Sequence, residues 1–395
     1  MGAIGGQVPG AAISREMPPP FGAPREAPLD ESGNFLPARW VWISSEFTHI
    51  GGDFCNSAIM KIFFSIQSEG SGHTVQAIGL KQILADKGHN VSLAISAKKA
   101  HGFSSFFSSE FNIHGYDGFD FIFKDGRLNL VKTTVHNLLK IGKITKSFID
   151  LLRLIKKENP DMIVNFYDPL VGLTSLFFPD IKYVSIGHQY AMTHCSYPKV
   201  SGFATQKLFL KLLNWATAPK NQKIALSFYD NGEDNCCPPL LRRSSYECED
   251  VSEDFVLVYL MNDGMLPQLI NEAIKHPAIS IECFTKLTKE FDLPKNLSVQ
   301  NLNGDLFIKR MKRCRAVICS GGFETASEAM LMGKPLLMVP IKNHFEQISN
   351  CIDAEQQGRA AHWHKIDLAL LPKIQSKNAE WFFQIKNRIG KLMDV

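Results

Sequence analysis

The chain has 395 residues, which is long enough for two domains with ordinary cores. Its composition, 45% hydrophobic and 21% charged residues, excludes a fibrous or wholly disordered protein. The formal net charge of +4 is too small to indicate a nucleic-acid partner. The nine cysteines include no C-x-x-C pair and no zinc-type spacing with histidine, so we expect reduced thiols in a reducing compartment. No apolar run reaches the roughly 20 residues that span a bilayer.

The N-terminal segment differs from the rest of the chain. Residues 1–35 are dominated by Gly, Pro and Ala without apolar periodicity, which is typical of disorder. The segment has no apolar stretch of the signal-peptide type, and its mixed charges are unlike those of a transit peptide. Residues 1–59 are therefore predicted to be a disordered extension, with Met60 as the first residue of the folded unit.

From Met60 the sequence alternates between strand and helix patterns. The run Lys61–Ile66 is largely apolar, as a buried parallel strand usually is, and a helix pattern from Thr74 to Lys87 follows it. A long helical stretch with a break near Gly142 is predicted at Leu128–Lys157. Further strands are predicted at Val91–Ile95, Phe119–Phe123, Met162–Phe166, Tyr183–Ile186 and Ile224–Phe228. This alternation is typical of a doubly wound α/β sheet.

A proline-containing linker, Pro238–Arg242, precedes a second alternation. Its predicted strands are Phe255–Leu260, Ile279–Phe284, Leu297–Gln300, Ala316–Cys319 and Pro335–Val339. Its predicted helices are Gln268–Lys275, Phe307–Arg313, Thr325–Met332 and Phe345–Gln357. We therefore predict an α/β protein with two Rossmann-like domains, residues 60–242 and 243–395, that face a ligand cleft. An amphipathic helix at Asn378–Lys391 is expected to cover the core of either domain.

The segment Ser320–Ala329 combines the end of a buried strand, two glycines and a helix start. Gly321 and Gly322 let the backbone approach a ligand, and the unpaired N–H groups of the first helical turn form an anion site suited to a diphosphate. Thr325 adds a hydroxyl near the same phosphates, and Glu328, one turn further on, is placed to accept hydrogen bonds from ribose hydroxyls. Alone, the double glycine is equally typical of a tight turn before a surface helix.

A second loop favours the ligand-site interpretation. The first helix ends at Gly333, and the chain returns through a strand to the loop Ile341–His344 and a new helix. Because consecutive parallel strands end at the same edge of a sheet, His344, Glu346 and Gln347 are expected beside the glycine turn. Donors and acceptors of this kind suit the hydroxyl groups of a sugar.

The segment Ser320–Asn350 resembles the donor-binding region of GT-B-fold glycosyltransferases, in the pattern GGFET-SEA-GKP-P-H-EQ-N. It is most similar to family 28, which includes the N-acetylglucosaminyltransferase of peptidoglycan synthesis, and to uncharacterised bacterial and archaeal enzymes of that group. The resemblance implies a nucleotide-sugar donor, with UDP as the nucleotide. By position it implies these contacts: Glu328 on the ribose, Gly322 and Thr325 at the diphosphate, Glu346 and Gln347 on the donor sugar.

A glycine-containing loop, residues 67–73, joins the first strand to the first helix. Gly70 and Gly72 allow a bend that brings backbone N–H groups and the His73 side chain to the edge of the cleft. Alone, the G-x-G-H pattern also fits a solvated histidine at a helix start. The loop resembles the acceptor-side loop of the same enzymes, where the final Gly-His pair faces the donor phosphates, and this places His73 in the active cleft.

Glycosyl transfer requires a base for the acceptor hydroxyl and stabilisation of the leaving diphosphate. Asp168, after the strand Met162–Phe166, is the leading candidate for the base, but an Asx turn that caps the next helix at Pro169 suits it equally well. His188 and Glu69 are the alternatives. Backbone N–H groups, a helix dipole and a histidine can stabilise the diphosphate, and no D-x-D motif stands in a suitable place. We therefore predict catalysis without a metal ion or other cofactor.

Two basic, apolar segments of the first domain, Lys132–Lys157 and Gln206–Lys223, suit either packing on a core or contact with an anionic membrane. The sequence thus predicts an inverting hexosyltransferase in the cytoplasm, at the inner face of the membrane if these helices bind lipid. Its expected partners are a nucleotide-sugar donor and a glycan, lipid or small-molecule acceptor, with no nucleic acid. The alternatives are a sugar-nucleotide epimerase or hydrolase of the same fold, and a non-catalytic nucleotide-binding module.

Overall fold

The computed structural model describes residues 59–67, 72–97, 105–124, 127–193, 197–247, 252–375 and 379–394. Residues 1–58, which hold nearly all of the predicted extension, lie outside this part of the chain. Two parallel sheets with surrounding helices follow one another along the described residues. The prediction of two doubly wound α/β halves is therefore confirmed.

The first half contains a mostly buried parallel sheet. Its strands and hairpin are β1 (Lys61–Ile66), β2 (Asn90–Ala97), β3 (Ile113–Tyr116), β4 (Phe123–Lys124), β5 (Arg127–Leu128), β6 (Met162–Phe166), β7 (Lys182–Gly187), β8 (Gln222–Leu226) and β9 (Cys236–Cys237). The sheet order is β3-β2-β1-β6-β7-β8-β9, and β4 pairs with β5 as an antiparallel hairpin. The strand predicted at Phe119–Phe123 is wrong. The aromatic side chains of this run take part in packing instead: the ring centroid of Phe121 lies 5.7 Å from that of Phe209.

The second half contains a smaller parallel sheet. Its strands are β10 (Phe255–Tyr259), β11 (Ser280–Phe284), β12 (Leu297–Gln300), β13 (Ala316–Cys319), β14 (Leu336–Met338) and β15 (Ala361–His362). They lie in the order β12-β11-β10-β13-β14-β15. All five strands predicted in this half are present within two residues of their predicted bounds, because each is a short apolar run between turn residues.

Helices connect the parallel strands in both halves. They are α1 (Gly72–Asp86), α2 (Ser105–Glu110), α3 (Leu130–Leu139), α4 (Ile141–Glu158), α5 (Pro169–Thr174), α6 (His188–Ala191), α7 (Ala204–Thr217), α8 (Arg243–Tyr246), α9 (Leu266–Lys275), α10 (Gly304–Arg313), α11 (Phe323–Leu331), α12 (Phe345–Gln356), α13 (Glu380–Phe383) and α14 (Ile385–Met393). The predicted break in the long helical stretch falls at Lys140, between α3 and α4. No helix among the described residues is long and apolar enough to cross a membrane.

The C-terminal helices return to the first half of the protein, a choice that the sequence left open. Trp381 of α13 donates a hydrogen bond from Nε1 to the Ser227 carbonyl oxygen at 3.0 Å. Lys386 of α14 forms an ion pair with Asp86, at the end of α1, at 2.8 Å. Phe382 is fully buried in the core shared with strands of the first sheet. The chain therefore crosses between the two halves twice.

The cysteines of the described residues are free and buried. They are Cys236, Cys237, Cys283, Cys314, Cys319 and Cys351. Burial raises the pKa of the thiols, for example that of Cys319 to about 12, so they stay protonated at neutral pH. They act as small apolar side chains in the two cores, as predicted.

Candidate functional site

A cavity of about 430 Å³ lies where the carboxyl ends of the two sheets face each other. From the first half, three of its lining residues follow β1, β6 and β7: Gln67, Tyr167 and His188. From the second half, three follow β10, β13 and β14: Met261, Ser320 and Asn343. Parallel α/β sheets bind ligands at this edge, so the cavity is the candidate active site.

The turn from β13 into α11 has the geometry expected of its two glycines. Gly321 adopts φ +82°, and a Cβ there would lie 2.8 Å from Cys351 Sγ and 3.0 Å from the Gln347 carbonyl oxygen, so a larger residue does not fit. Gly322 caps α11, and a Cβ there would meet no atom within 4 Å. Five residues of this segment line the cavity: Ser320, Gly322, Phe323, Glu324 and Thr325. The first turn of α11 thus lies at the cavity wall, and N–H groups of a first helical turn are the kind of donors that bind anions.

The start of α12 lines the same cavity. His344 is its N-cap and accepts a hydrogen bond at Nδ1 from the Gln347 backbone N–H at 3.4 Å. The Gln347 side chain accepts a hydrogen bond from the Ile341 N–H at 2.9 Å, which braces the preceding loop. Glu346 accepts one from Gln189 of the first half at 3.3 Å, and burial raises the pKa of Glu346 to about 7. The three residues predicted for the donor sugar therefore lie together beside the glycine turn.

Glu328 does not line the cavity, contrary to its predicted place at the ligand. Its Oε1 atom accepts hydrogen bonds from Arg242 Nη2 and Ser245 Oγ, both at 3.2 Å, and the residue is 4% exposed. Burial raises the pKa of Glu328, and the charge and hydrogen bond of Arg242 offset part of that rise. A contact between Glu328 and a ribose therefore requires the carboxylate to exchange the linker arginine for the ribose hydroxyls.

His73 stands at the start of α1, which begins at Gly72; Gly70 lies outside the described residues. The imidazole lines the cavity and stacks on Tyr167, with ring centroids 5.8 Å apart and planes at 16°. Tyr167 has φ +64°, in the left-handed region that a tyrosine rarely adopts, and its hydroxyl donates to Asn214 at 2.6 Å. Burial lowers the pKa of His73 to about 4, so its imidazole is neutral at pH 7.

Asp168 is the N-cap of α5 and is absent from the cavity wall. Its Oδ1 atom accepts hydrogen bonds from the backbone N–H groups of Leu170 and Val171, at 3.0 and 3.2 Å, and its Oδ2 atom accepts one from the Tyr116 hydroxyl. The residue is 1% exposed, and burial raises the pKa of its carboxyl. Of the two interpretations that the sequence left open, the geometry is that of the helix cap.

His188, an alternative candidate for the base, contacts the second half of the protein. Its Nδ1 atom lies 2.8 Å from the Leu226 carbonyl oxygen, and its Nε2 atom lies 2.8 Å from Asn350 Oδ1. The ring stacks on Phe323 of α11 with centroids 3.8 Å apart. Both ring nitrogens are occupied, so the side chain joins the two halves rather than facing an acceptor. Glu69, the other alternative, lies outside the described residues.

Two groups of cavity residues were missed by the sequence analysis. One is a polar contact between the halves, in which Gln76 Nε2 of α1 donates a hydrogen bond to Glu324 Oε1 of α11. The sequence feature that could have indicated this contact is the spacing of His73 and Gln76, which are three residues apart and therefore lie on the same face of the helix. The other is an apolar wall with these residues: Phe121, Phe209, Leu210 and Leu213. The amphipathic pattern of the Gln206–Lys223 segment was the signal for most of that wall.

The carboxyl groups near the glycine turn are partly buried in the cavity wall, which disfavours their ionised form. Burial raises the pKa of Glu324 well above its ordinary value, and the charges of Glu328 and Glu346 raise it further. A neutral Glu324 is compatible with a diphosphate at the start of α11, whereas an ionised one would repel it. Across the described ranges, no three His, Cys, Asp or Glu side chains lie close enough to hold a metal ion.

Asp353 of α12 leads to a prediction about stability and pH. The side chain is fully buried, and both carboxylate oxygens lack a hydrogen-bond partner among the described residues, which raises the pKa of the carboxyl to about 7. Because the folded pKa lies above the unfolded value of about 3.9, folding favours the protonated form, and stability is lost as pH rises through 7. Asp353→Asn is expected to raise the free energy of unfolding by up to about 4 kcal/mol at pH 8, with no gain at pH 4.

Urea unfolding of both proteins at the two pH values measures this difference. Asp150→Asn, on the exposed side of α4, is the matched control and is expected to change the free energy of unfolding by no more than about 0.5 kcal/mol. An equal effect of Asp353→Asn at pH 4 and pH 8 would contradict the raised pKa.

Two Rossmann-like halves around a cleft define the GT-B class. The structure aligns over 85% of the chain with the spinosyn forosaminyltransferase SpnP, at a TM-score of 0.54 and 12% identity, covering 95% of that chain. It aligns over the same share with MurG of Acinetobacter baumannii, at a TM-score of 0.51 and 16% identity, covering 99% of that chain. The spinosyn rhamnosyltransferase SpnG, complexed with thymidine diphosphate, aligns with a TM-score of 0.51 and 15% identity, over 85% of this chain and 92% of that one. The fold is GT-B.

The sequence itself identifies the family. Residues 60–376 match glycosyl transferase family 1, and the chain belongs to this family. An uncharacterized glycosyltransferase of Methanosarcina acetivorans is 23% identical over 76% of this chain and 84% of its own. One of Methanosarcina mazei is 24% identical over 76% of this chain and 85% of its own. The resemblance to GT-B glycosyltransferases is therefore confirmed, and the protein is a glycosyltransferase.

Proposed function

We propose that the protein transfers a hexose-type sugar from a nucleoside diphosphate donor, with UDP as the nucleotide, to an acceptor hydroxyl. The observation that carries the proposal is the meeting of the starts of α11 and α12 with His73 in one cavity. Membership of a glycosyltransferase family supports this donor class. The thymidine diphosphate bound by SpnG, a protein of the same fold, supports a diphosphate at the cleft.

A single displacement with inversion fits this arrangement. The acceptor oxygen forms a bond to the anomeric carbon while the bond from that carbon to the diphosphate oxygen breaks, and its electron pair leaves with the nucleoside diphosphate. The hydroxyl proton passes to His73, which replaces Asp168 as the proposed base because it lines the cavity. The N–H groups and dipole at the start of α11 offset the charge on the leaving group, so no metal ion is required.

Nucleotide binding by the full-length chain tests the donor site. Calorimetry with UDP, TDP, GDP and their sugar conjugates is expected to show binding of one nucleotide class, and we expect that class to be the uridine nucleotides. EDTA is expected to leave the affinity unchanged. Gly322→Leu is expected to weaken that binding about 100-fold, the scale of one lost hydrogen bond to a charged group. The added side chain fills open space at the anion site without meeting protein atoms at its Cβ.

Gly142→Leu is the matched control, since a Cβ at that exposed glycine of α4 also meets no atom within 4 Å. Its nucleotide affinity is expected to equal that of the wild type. Failure of the wild type to bind any nucleotide would reject the proposed donor, and loss of binding in EDTA would reject metal independence. Binding without turnover of any donor would leave a nucleotide-binding module.

The acceptor side of the cavity is continuous with an exposed apolar surface through α7. This helix lines the cavity with Phe209 and Leu213 and exposes Leu208, Leu212 and Trp215 elsewhere. Helices α3 and α4 expose further apolar side chains: Val131, Val135, Leu138, Leu139 and Ile141. Exposed lysines stand among them: Lys132, Lys143 and Lys146. Such a surface suits an anionic bilayer, and we propose that it binds the inner face of the membrane and that the acceptor is amphiphilic.

Vesicle sedimentation measures this contact. The full-length protein is expected to sediment with vesicles that contain phosphatidylglycerol and to stay in solution with phosphatidylcholine alone. Leu212→Glu is expected to lower vesicle affinity about tenfold or more, the scale of one leucine withheld from an apolar phase. Leu293→Glu, at an exposed leucine of the second half, is the control. Equal binding by both variants would show that α7 does not contact the bilayer.

A further inference from the structure

Two polar side chains, Gln76 and Glu324, connect the proposed base His73 to the opposite half of the protein. His73 and Gln76 stand on α1, whereas Glu324 stands on the first turn of α11. Gln76 Nε2 donates a hydrogen bond to Glu324 Oε1, and Gln76 Oε1 lies 3.3 Å from His73 Nδ1. A Cβ at Gly72 would lie only 3.1 Å from Glu324 Cγ, so the two helices are in contact at this point.

The carboxyl group of Glu324 determines which side chain is the donor in each of these two contacts. Glu324 Oε1 accepts, so the Gln76 amide directs its NH₂ group toward Glu324 and its carbonyl oxygen toward His73. The carbonyl oxygen can only accept, so the hydrogen between the two side chains belongs to His73 Nδ1. This order holds for an ionised Glu324 and for an acid protonated at Oε2. In the neutral imidazole the lone pair is then on Nε2.

We propose that Gln76 and Glu324 are positioning residues that hold His73 in its Nδ1–H tautomer, with Nε2 as the proton acceptor. The inference rests on the proposed function, in which His73 takes the proton of the acceptor hydroxyl. Stacking on Tyr167 fixes the plane of the imidazole, and the Gln76 contact fixes which nitrogen carries the hydrogen. Within the described residues, His73 Nε2 forms no hydrogen bond, and the side chain lines the cavity.

The tautomer of the base depends on residues from both halves of the protein. Gln76 and Glu324 are 248 residues apart in the sequence, and their contact exists only where α1 meets α11. Glu324 Oε2 is buried without a hydrogen-bond partner among the described residues, so no competing bond turns the carboxyl away from Gln76. The turn of α11 that is proposed to bind the diphosphate therefore also sets the tautomer of the base. The base therefore has its proposed tautomer only when α1 and α11 are in contact.

Nitrogen-15 NMR of the full-length protein, with labelled histidine, reads the tautomer directly at pH 7 and 8. The signals of His73 are assigned by their loss in His73→Gln. We expect the Nδ1–H tautomer in the wild type. Glu324→Leu and Gln76→Leu are expected to shift His73 to the Nε2–H tautomer, which predominates in unconstrained neutral histidine. Glu324→Gln is expected to retain the Nδ1–H tautomer, because its amide oxygen can still accept from Gln76.

Two controls separate positioning from a general loss of structure. His188, which is held by Leu226 and Asn350, is expected to keep its tautomer in every variant. Gln82→Leu, on the same helix as Gln76, is expected to leave the His73 tautomer unchanged. An Nε2–H tautomer in the wild type would overturn the proposal, and so would an Nδ1–H tautomer that survives both leucine variants.

Turnover supplies an independent readout. With the UDP-sugar that the wild type binds, Gln76→Leu and Glu324→Leu are expected to lower the rate of UDP release by about 10- to 100-fold, less than loss of the base itself. Glu324→Gln is expected to recover most of that rate. If the wild type turns over no donor but shows the tautomer changes, the proposed function fails and the positioning contact stands. If turnover is normal and the tautomer does not respond, the positioning inference alone fails.

Discussion

Replacement of His73 by alanine is expected to lower the turnover of the donor by about 100- to 10,000-fold, the contribution of a positioned general base. The imidazole lines the cavity, is neutral at pH 7 because burial lowers its pKa to about 4, and is held against Tyr167. The starts of α11 and α12 remain intact in the variant, so UDP affinity is expected to change less than about threefold. UDP release from the UDP-sugar, with water or the acceptor as nucleophile, measures the rate, and calorimetry measures the affinity.

Asp168→Asn is the matched comparison, since asparagine caps a helix about as well as aspartate. The cap of α5 is expected to survive and turnover to stay within about threefold of the wild type, because the carboxylate lies outside the cavity wall. The opposite pair of results, an inactive Asp168→Asn and an active His73→Ala, would return the role of base to Asp168. Equal activity of both variants would require a different base.

Replacement of Glu328 by alanine is expected to lower the free energy of unfolding by about 3–5 kcal/mol, the cost of breaking a buried ion pair from one side. Arg242 is 7% exposed and Glu328 is 4% exposed, so the guanidinium loses its buried carboxylate partner where little water reaches it. UDP affinity is also expected to fall, by about 1–3 kcal/mol, if the carboxylate turns to the ribose when a donor binds. Urea unfolding and calorimetry measure the two effects separately.

The double variant Glu328→Ala with Arg242→Leu separates the two roles of the carboxylate. Removing both charges is expected to recover most of the lost stability, because no buried charge is left without its partner. UDP affinity is expected to stay low in the double variant, since the ribose contact is still absent. Wild-type affinity in a stable double variant would show that Glu328 is a structural partner of the linker and not a ligand of the donor.

Most strands and helices were predictable because each has a local pattern. Strands such as β1 and β13 are buried on both faces, and a continuous apolar run is the direct result of that burial. The error at Phe119–Phe123 has a physical cause in the cleft. The apolar side chain of Phe121 lines the cavity and does not belong to a strand. The actual strand β3 lies at the edge of the sheet, includes His114 and Gly115, and lacks an apolar pattern.

The grouping of the residues proposed for the donor side was predictable for the same reason. Gly321 and Gly322 lie in one turn, and His344 caps the helix that contains Glu346, so the chemistry of this side is local in sequence. The roles of Asp168 and Glu328 were not settled by their patterns. A carboxylate one turn into a helix, or just after a strand, can face either a ligand or a buried protein partner.

The sequence by itself determined the two α/β halves, the glycine turn and the family, because burial periodicity, backbone freedom and helix capping act over a few neighbouring residues. The tertiary structure alone decided which polar groups meet between the two halves: Gln76 with Glu324, Gln189 with Glu346, and Arg242 with Glu328. These partners are 248, 157 and 86 residues apart. Their pairing follows from the packing of one sheet edge against another, and no local pattern of charge or hydropathy encodes that packing.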